Sequence, residues 1–134
     1  MTFKDLSLEE IIAKIKAWET TQNEVNTYFL ERTKKYNEKL NVYNFINEEF
    51  KETSVDTDLA WVALWVKDIF CEKGIPTTAS STMLKDFVPP YDATVISRLK
   101  QSDMNSLWKV NMDEFAMWTT WENSKTGPTL NPWG

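Results

Sequence analysis

Residues 66–100 read VKDIFCEKGIPTTASSTMLKDFVPPYDATVISRLK, and this stretch decides the interpretation of the fold. It begins at the end of a continuous apolar run, residues 59–66, and such a run between polar segments is typical of a buried strand. Lys67 and Asp68 follow the run directly. Residues 74–81 and 88–92 carry the glycine, proline and small polar residues of loops, so the sequence predicts a strand that leads into two successive loops.

A helix and a second strand follow these loops. Asp92 is a suitable N-cap for a helix over residues 93–102, whose inward side chains are expected to be Val95, Ile96 and Leu99. Residues 106–110 have the composition of a strand, residues 113–117 predict a short helix, and residues 123–134 predict a loop. Because the order strand–helix–strand is that of a βαβ unit, we expect an α/β fold built on a sheet.

Two amphipathic helices precede this unit. Ser7 and Glu10 have the spacing of a capping box, and the helix that they begin is expected to bury one face, formed by Leu8, Ile11, Ile12, Ile15 and Trp18. Residues 21–40 predict a second helix with an apolar face, formed by Val25, Tyr28, Phe29, Thr33 and Tyr36. Residues 42–46 predict a short strand, and residues 47–58 predict a loop.

The composition indicates which cellular compartment and which classes of partner to expect. The chain of 134 residues carries a formal net charge of −5 and shows no basic stripe, which argues against nucleic-acid binding by the chain alone. Its longest apolar run is far shorter than the roughly 20 residues of a membrane span, and its N-terminus lacks the pattern of a secretion leader. Cys71 has no second cysteine to pair with and is expected to be a small core residue. We therefore expect a cytoplasmic protein without a membrane segment.

Missing residue types exclude several kinds of chemistry. The sequence contains no histidine, which excludes the histidine-dependent serine and cysteine mechanisms and the histidine-based zinc sites. Its three glycines are too far apart for a phosphate-binding loop. We therefore expect no metal and no cofactor in this chain. Asp113 and Glu114 are adjacent carboxylates, but neighbouring helix positions point in different directions, so we interpret them as structural rather than as an acid–base pair.

The central stretch resembles the amidase signature family. Residues 109–117, KVNMDEFAM, and residues 122–133, ENSKTGPTLNPW, extend the resemblance to most of the chain. Within the family the sequence is most similar to the A subunits of glutamyl-tRNA(Gln) amidotransferases. The resemblance implies one partial amidase domain, with residues 1–46 as its N-terminal helices and first strand and residues 59–134 as the start of its core. It also implies helices packed on a large mixed sheet.

The resemblance assigns a role to Lys67. This residue, in the motif Val66-Lys67-Asp68, matches the lysine of the family's Ser-cisSer-Lys catalytic unit. A serine hydroxyl needs a neighbouring base to become a nucleophile, and a lysine supplies one when burial keeps it neutral. In the family both serines follow the position of Asn131-Pro132-Trp133, so neither lies within residues 1–134, and Ser80-Ser81 matches a different position. The 134 residues alone are therefore expected to lack glutaminase activity.

The resemblance also implies a reaction and its partners. In the family the amidase component, the A subunit, releases ammonia from glutamine, and the B subunit uses ATP and magnesium to convert Glu-tRNA(Gln) to Gln-tRNA(Gln). We therefore expect B and C subunits as partners and contact with tRNA only through the complex. Two alternatives stay open: a non-catalytic interaction module that docks through its N-terminal helices, and a piece of an amidase that acts on other small amides.

Tryptophans mark the departures from the family. Trp61, Trp108 and Trp118 stand where the family has glycine, and Trp65 and Trp121 replace small residues. Glycine serves where the backbone needs a positive φ or a close approach, and overpacking costs about 1–3 kcal/mol per site. Asp103 replaces a further glycine, and Asn105 and Ser106 place polar groups in an expected buried strand. We interpret these changes as decay of the fold under relaxed selection; a new aromatic binding role is the alternative.

Overall fold

The computed structural model describes residues 2–50, 57, 59–61, 63–117, 120 and 122–133. The described residues form three α-helices, three strands and two 3-10 turns. In chain order these are α1 (Leu8–Lys16), α2 (Gln22–Leu40), β1 (Tyr43–Ile46), β2 (Ala63–Lys67), the turn Thr82–Leu84, α3 (Thr94–Gln101), β3 (Asn105–Val110) and the turn Glu114–Ala116. The predicted α/β class is confirmed.

The three strands form one sheet with β3 in the centre. The strand order is β1-β3-β2, in which β3 runs antiparallel to β1 and parallel to β2. The parallel pair β2 and β3 is connected through α3, so the predicted βαβ unit is confirmed. Because the two strands run in the same direction, their carboxyl ends meet at one edge of the sheet.

Strand β2 is shorter and less buried than the sequence predicted. Residues 59–61 form a turn, and the strand covers only Ala63–Lys67. Val66 is its one buried residue, whereas the Trp65 side chain is 65% exposed. The prediction of a buried strand over residues 59–66 was wrong because β2 is an edge strand of the sheet that the described residues form.

The N-terminal helices begin where the sequence predicted and bury narrower faces. Ser7 and Glu10 form the reciprocal capping box of α1, and Thr21 and Glu24 form one for α2. The first core cluster joins both helices and consists of Phe3, Ile11, Ile15 and Val25. Three residues predicted on the buried faces are exposed instead: Leu8, Trp18 and Tyr36. Leu8 is the first residue of α1, and Trp18 lies beyond its end. The Tyr36 ring faces the side-chain cations of Arg32 and Lys35.

Helix α3 begins without the predicted cap. Ala93 occupies the N-cap position and makes no side-chain hydrogen bond. Asp92 Oδ1 instead accepts hydrogen bonds from the backbone N–H of Lys73 and from Lys100 Nζ, both at 2.8 Å. Asp92 therefore joins the loop after β2 to the last turn of α3. Ile96 is buried as predicted, whereas Val95 is exposed, contrary to the prediction.

Two of the family departures, Trp61 and Trp108, pack in or against the hydrophobic core clusters. Trp108 lies in the middle of β3, where it is buried against Leu30 of α2 and stacks on Tyr43 with ring centroids 5.8 Å apart. Neither Trp61 nor Trp108 adopts a left-handed backbone, so the loss of glycine imposes no φ strain at these two positions. Asp103 does adopt one, with φ 59°.

Other predictions for the C-terminal half need smaller corrections. Asn105 and Ser106 are only half-buried, and they extend β3 by pairing with Ala63 and Leu64 of β2. The helix predicted over residues 113–117 is instead a single 3-10 turn, Glu114–Ala116, because Phe115 and Ala116 have left-handed backbones. Trp118, Trp121 and most of the predicted loop 47–58 lie outside the described residues. Among the helices that are described, none is both long and apolar enough to cross a membrane.

Candidate functional site

Lys67 lies at the carboxyl edge of the sheet. It is the last residue of β2 and pairs with Val110, the last residue of β3. Asp68 and Asn111 come next in the chain, so the parallel strands bring these two polar residues to the same edge. Ligands of α/β sheets bind outside the carboxyl ends of the strands. The geometry therefore places Lys67 where a sheet of this class usually forms its site.

Asp68 is the buried centre of this edge. Its side chain is fully buried and accepts hydrogen bonds from the Thr78 backbone N–H at 3.1 Å, from Thr78 Oγ1 at 2.6 Å and from Asn44 Nδ2 at 2.8 Å. Its backbone carbonyl accepts from the Ala79 N–H. A buried carboxylate is tolerated when such donors surround it. Asp68 thus attaches loop 77–81 and β1 to the end of β2, directly beside Lys67.

The Ser80 hydroxyl is fully used inside the protein. Ser80 is completely buried, and its Oγ donates to Asn111 Oδ1 at 3.1 Å. The same oxygen accepts from Asn44 Nδ2 at 2.8 Å and from the Met112 N–H at 3.1 Å. Because the hydroxyl is buried and already bonded to three internal groups, Ser80 has the geometry of a structural residue rather than of a nucleophile.

Ser81 and the two carboxylates join the same network. Ser81 is also completely buried, donates its hydroxyl hydrogen to Glu114 Oε1 and accepts from the Met83 N–H. Asp113 Oδ1 accepts from the backbone N–H of Asn123. Glu114 and Asp113 therefore connect different segments of chain, which agrees with their interpretation as structural residues.

Loop 77–81 has an unusual backbone. Ala79 and Ser80 are consecutive non-glycine residues with left-handed conformations, at φ 48° and 53°. Such residues cost on the order of 1–3 kcal/mol each and persist only where their surroundings hold them. Here the carbonyl of Ala79 accepts from the Phe115 N–H and that of Ser80 from the Lys125 N–H. The loop is thus held from two sides at the edge that carries Lys67.

Asn111 extends the network to the C-terminal loop. It is buried, its Nδ2 donates to the carbonyls of Asn41 and Gly127 at 3.0 Å each, and its Oδ1 accepts from Ser124 Oγ at 2.6 Å. Gly127 has φ 87°, a conformation that favours glycine. Residues 124–129 are thereby fixed against the end of α2 and the end of β3.

Lys109 is a buried cation that the sequence analysis missed. It is 1% exposed, and its Nζ donates to the Phe70 carbonyl at 2.6 Å and to Thr77 Oγ1 at 3.0 Å. Burial lowers the pKa of Lys109, and the nearby carboxylates of Asp68 and Glu72 oppose this effect. The sequence did contain a signal for this burial. Lys109 lies in the second strand of the predicted βαβ unit, and the strands of such a unit are usually covered on both faces of the sheet. Lys109 holds the loop after Asp68 on the opposite side of the sheet from Trp108.

Lys67 is half-buried at the edge, next to the Asp68 network. Cys71 is half-buried rather than part of the core, because it lies on the loop after β2 with its Sγ 3.7 Å from the exposed Tyr91 Oη. Within the described ranges, no group of three or more acidic, cysteine or histidine side chains has the arrangement of a metal site. The edge therefore presents Lys67 as a candidate base on a rigid polar scaffold.

Comparison with known proteins agrees with this architecture. Residues 24–134 match the family model described as Amidase. The A subunit of glutamyl-tRNA(Gln) amidotransferase from Streptomyces coelicolor is 43% identical over 140 residues, which cover 96% of this chain and 28% of that protein. The protein of the same name from Bdellovibrio bacteriovorus is 38% identical over 138 residues, which cover 95% of this chain and 28% of that protein. The chain thus spans little more than a quarter of the length of these relatives.

Solved structures share the fold over nearly the whole chain. The crystal structure of the glutamyl-tRNA(Gln) amidotransferase A subunit from Thermotoga maritima superposes with a TM-score of 0.84 at 27% identity, and covers 99% of this chain and 28% of that one. A peptide amidase from Stenotrophomonas maltophilia superposes with a TM-score of 0.87 at 20% identity, over 98% and 31% of the two chains, which is a likeness of fold alone. With a family model that matches most of its residues, the chain belongs to the Amidase family.

Proposed function

We propose that the chain is the N-terminal part of the glutaminase component, the A subunit, of a glutamine-dependent tRNA amidotransferase. In this role it contributes Lys67 to a site that hydrolyses glutamine to glutamate and ammonia. The ammonia is then used to convert Glu-tRNA(Gln) to Gln-tRNA(Gln) in translation. The Streptomyces and Bdellovibrio relatives, both named as A subunits of glutamyl-tRNA(Gln) amidotransferase, support this choice among amidase reactions.

The observation that carries the proposal is the position of Lys67. It ends β2 at the carboxyl edge, beside an Asp68 carboxylate that is buried and bonded to Thr78 and Asn44. This scaffold fixes the backbone from which the lysine extends, and catalytic groups need such a rigid support. A lysine also suits a chain without histidine, since it can serve as the base for a serine.

The proposed proton path has three members. Lys67 in its neutral form takes a proton from a bridging serine, which takes one from the nucleophilic serine as that oxygen attacks the glutamine side-chain carbonyl. The proton then returns to the leaving nitrogen, which departs as ammonia, and water releases glutamate from the acyl-enzyme. By the family resemblance neither serine is among residues 1–134, so these residues alone are proposed to be inactive.

The proposed partners are the B and C subunits of the amidotransferase, in the cytoplasm. The B subunit uses ATP and magnesium and provides most of the contact with tRNA. The chain itself is acidic overall, with a net charge of −5, so tRNA is proposed to meet it only through the complex.

The experiment is an assay of ammonia release from glutamine. The 134-residue chain is measured alone and mixed with a polypeptide that comprises the remaining length of the Streptomyces coelicolor relative. We expect no ammonia from the chain alone and release above background from the mixture. Lys67→Ala is expected to abolish that release, by about 10³-fold or more, as loss of a base for the nucleophile does.

Lys85→Ala is the matched control, because Lys85 is an exposed lysine whose neighbour in the structure is Asp86. It is expected to leave ammonia release unchanged. Release that survives Lys67→Ala would contradict the assignment of the base. A mixture in which the two polypeptides bind each other without any release would favour the second candidate, an interaction module, for which the exposed edge strand β2 is a suitable contact.

A further inference from the structure

A cavity lies away from the carboxyl edge of the sheet. It has a volume of about 360 Å³ and lies between the N-terminal helices and the face of the sheet that carries Trp65 and Trp108. Its lining is aromatic and aliphatic, and the residues that matter here are Asn26, Phe29, Tyr43, Trp61, Trp65 and Trp108. Small-molecule sites are commonly cavities of about 300–1,000 Å³ with an apolar lining and a few polar groups. The cavity has the size and character of such a site.

Buried polar atoms without partners are concentrated in this lining. Asn26 is 1% exposed, and within the described part of the chain neither its Nδ2 nor its Oδ1 has a hydrogen-bond partner. The indole Nε1 atoms of Trp61 and Trp108 are in the same state. In the described ranges the one other buried side-chain atom of this kind is Glu72 Oε2, so four of the five belong to this cavity. Because an unpaired buried polar group is costly, a ligand that offers a partner to even one of these atoms gains a hydrogen bond that the chain itself does not make.

The lining also limits the chemistry of the ligand. None of the described residues that line the cavity is charged, which disfavours an ionic ligand such as glutamine. Indoles and phenyl rings contact planar rings favourably in stacked or edge-on arrangements. The unpaired N–H groups of Asn26, Trp61 and Trp108 are donors, and a donor requires an acceptor such as a carbonyl oxygen.

We propose that this cavity binds a small neutral aromatic molecule whose carbonyl oxygen accepts a hydrogen bond from the Asn26 amide. Trp61 and Trp108 form its inner walls, and Trp65, whose side chain is 65% exposed, forms its solvent side. Trp61, Trp65 and Trp108, which stand where the family resemblance has glycine or small residues, would then all contact the same ligand.

Calorimetric titration with acetophenone tests the proposal, with ethylbenzene as a ligand of similar shape that lacks the acceptor. Acetophenone is expected to bind roughly tenfold more tightly than ethylbenzene, since a hydrogen bond to a buried unpaired donor separates the two ligands. Trp65→Ala is expected to weaken acetophenone binding by about fivefold or more through loss of a ring contact. Trp133→Ala, at an exposed tryptophan outside the lining, is the matched control and is expected to change nothing.

Asn26→Leu tests the polar contact and keeps the shape of the side chain approximately. The variant is expected to remain folded, because it removes two unpaired buried atoms, and to reduce the preference for acetophenone to about twofold or less. Three results would overturn the proposal: no saturable acetophenone binding to the unaltered chain, equal affinity for the two ligands, or a preference that Asn26→Leu leaves intact. Thermal unfolding of each variant, followed by circular dichroism, establishes that the protein titrated is folded.

Discussion

The carboxyl edge of the sheet and the tryptophan-lined cavity differ in how their buried hydrogen-bonding groups are paired. At the carboxyl edge of the sheet, the side chains of Asp68, Ser80 and Asn111 are buried and each has several partners. In the tryptophan-lined cavity, Asn26 and the indoles of Trp61 and Trp108 are buried with no partner among the described residues. The difference teaches that the described chain satisfies its polar groups at the edge but leaves those of the cavity lining without partners.

The largest expected effect comes from breaking the organised region. Asp68→Ala removes the acceptor for the Thr78 N–H, the Thr78 hydroxyl and the Asn44 amide, and leaves the Thr78 donors unpaired. We expect the free energy of unfolding to fall by about 3 kcal/mol or more, because hydrogen bonds to a charged group contribute about 1.5–3 kcal/mol. Urea unfolding provides the measurement.

Asp86→Ala is the control for this change, since Asp86 is an exposed aspartate next to Lys85. Its expected effect is within about 0.5 kcal/mol of zero, as for most surface substitutions. If Asp68→Ala proved no more damaging than Asp86→Ala, the edge network would not be a stabilising unit.

A smaller effect of opposite sign is expected in the cavity. Asn26→Leu replaces two unpaired buried polar atoms by apolar ones in an apolar lining. The free energy of unfolding should rise by about 1 kcal/mol in the absence of ligand, since replacing unpaired polar groups by apolar ones of similar shape removes a desolvation penalty. Asn23→Leu, at an exposed asparagine of the same helix, should not stabilise the chain. A clear loss of stability in Asn26→Leu would show that the amide has partners in solution, and the contrast between the regions would fail.

The smallest expected effect is a dependence of stability on pH. Burial lowers the pKa of Lys109 in the folded chain below its ordinary value of 10.5. Between the folded pKa and 10.5 the unfolded chain therefore binds more protons, so the Lys109 contribution makes folding more favourable as pH rises. Below the folded pKa both states are protonated, and the destabilisation caused by the buried charge is complete.

Lys109→Met isolates this contribution, because tyrosines that titrate at high pH are common to both proteins. The difference in unfolding free energy, unaltered chain minus Lys109→Met, should increase as pH is raised toward 10.5. A difference that stays constant or falls would mean that burial does not lower the pKa of Lys109 in the folded chain. Urea unfolding at a series of pH values provides the measurement.

Periodicity and capping patterns predicted most of the elements. The box at Ser7 begins α1, and the apolar period over residues 21–40 predicted α2. The strand–helix–strand order predicted the parallel pair, and with it the edge where Lys67 and Asp68 meet Asn111. The wrong burial predictions for Trp18, Val95 and Trp65 have a common cause. All three are apolar side chains, and whether such a side chain is exposed depends on tertiary packing, which a single sequence does not reveal.

The internal partners of the polar residues were harder to predict. Asp92 was expected to cap α3, but Lys73 and Lys100 compete for its carboxylate. The network of Asp68, Thr78 and Ser80 depends on the left-handed backbone at Ala79 and Ser80, which no residue type there signals. Asn26 and Lys109 were not singled out, because polar residues are exposed by default and burial of these two follows from tertiary packing.

The central claim is that the tryptophan-lined cavity and the polar edge belong to one folded unit, contrary to the hypothesis that the tryptophans mark a decaying fold. The most direct test is urea unfolding of the 134-residue chain, followed both by tryptophan fluorescence, to which the three cavity tryptophans contribute among seven, and by far-ultraviolet circular dichroism, which reports helices and sheet. A single folded unit predicts one cooperative transition with the same midpoint for both signals. A fluorescence transition at lower urea, or a gradual loss of signal without a midpoint, would contradict the claim and favour decay.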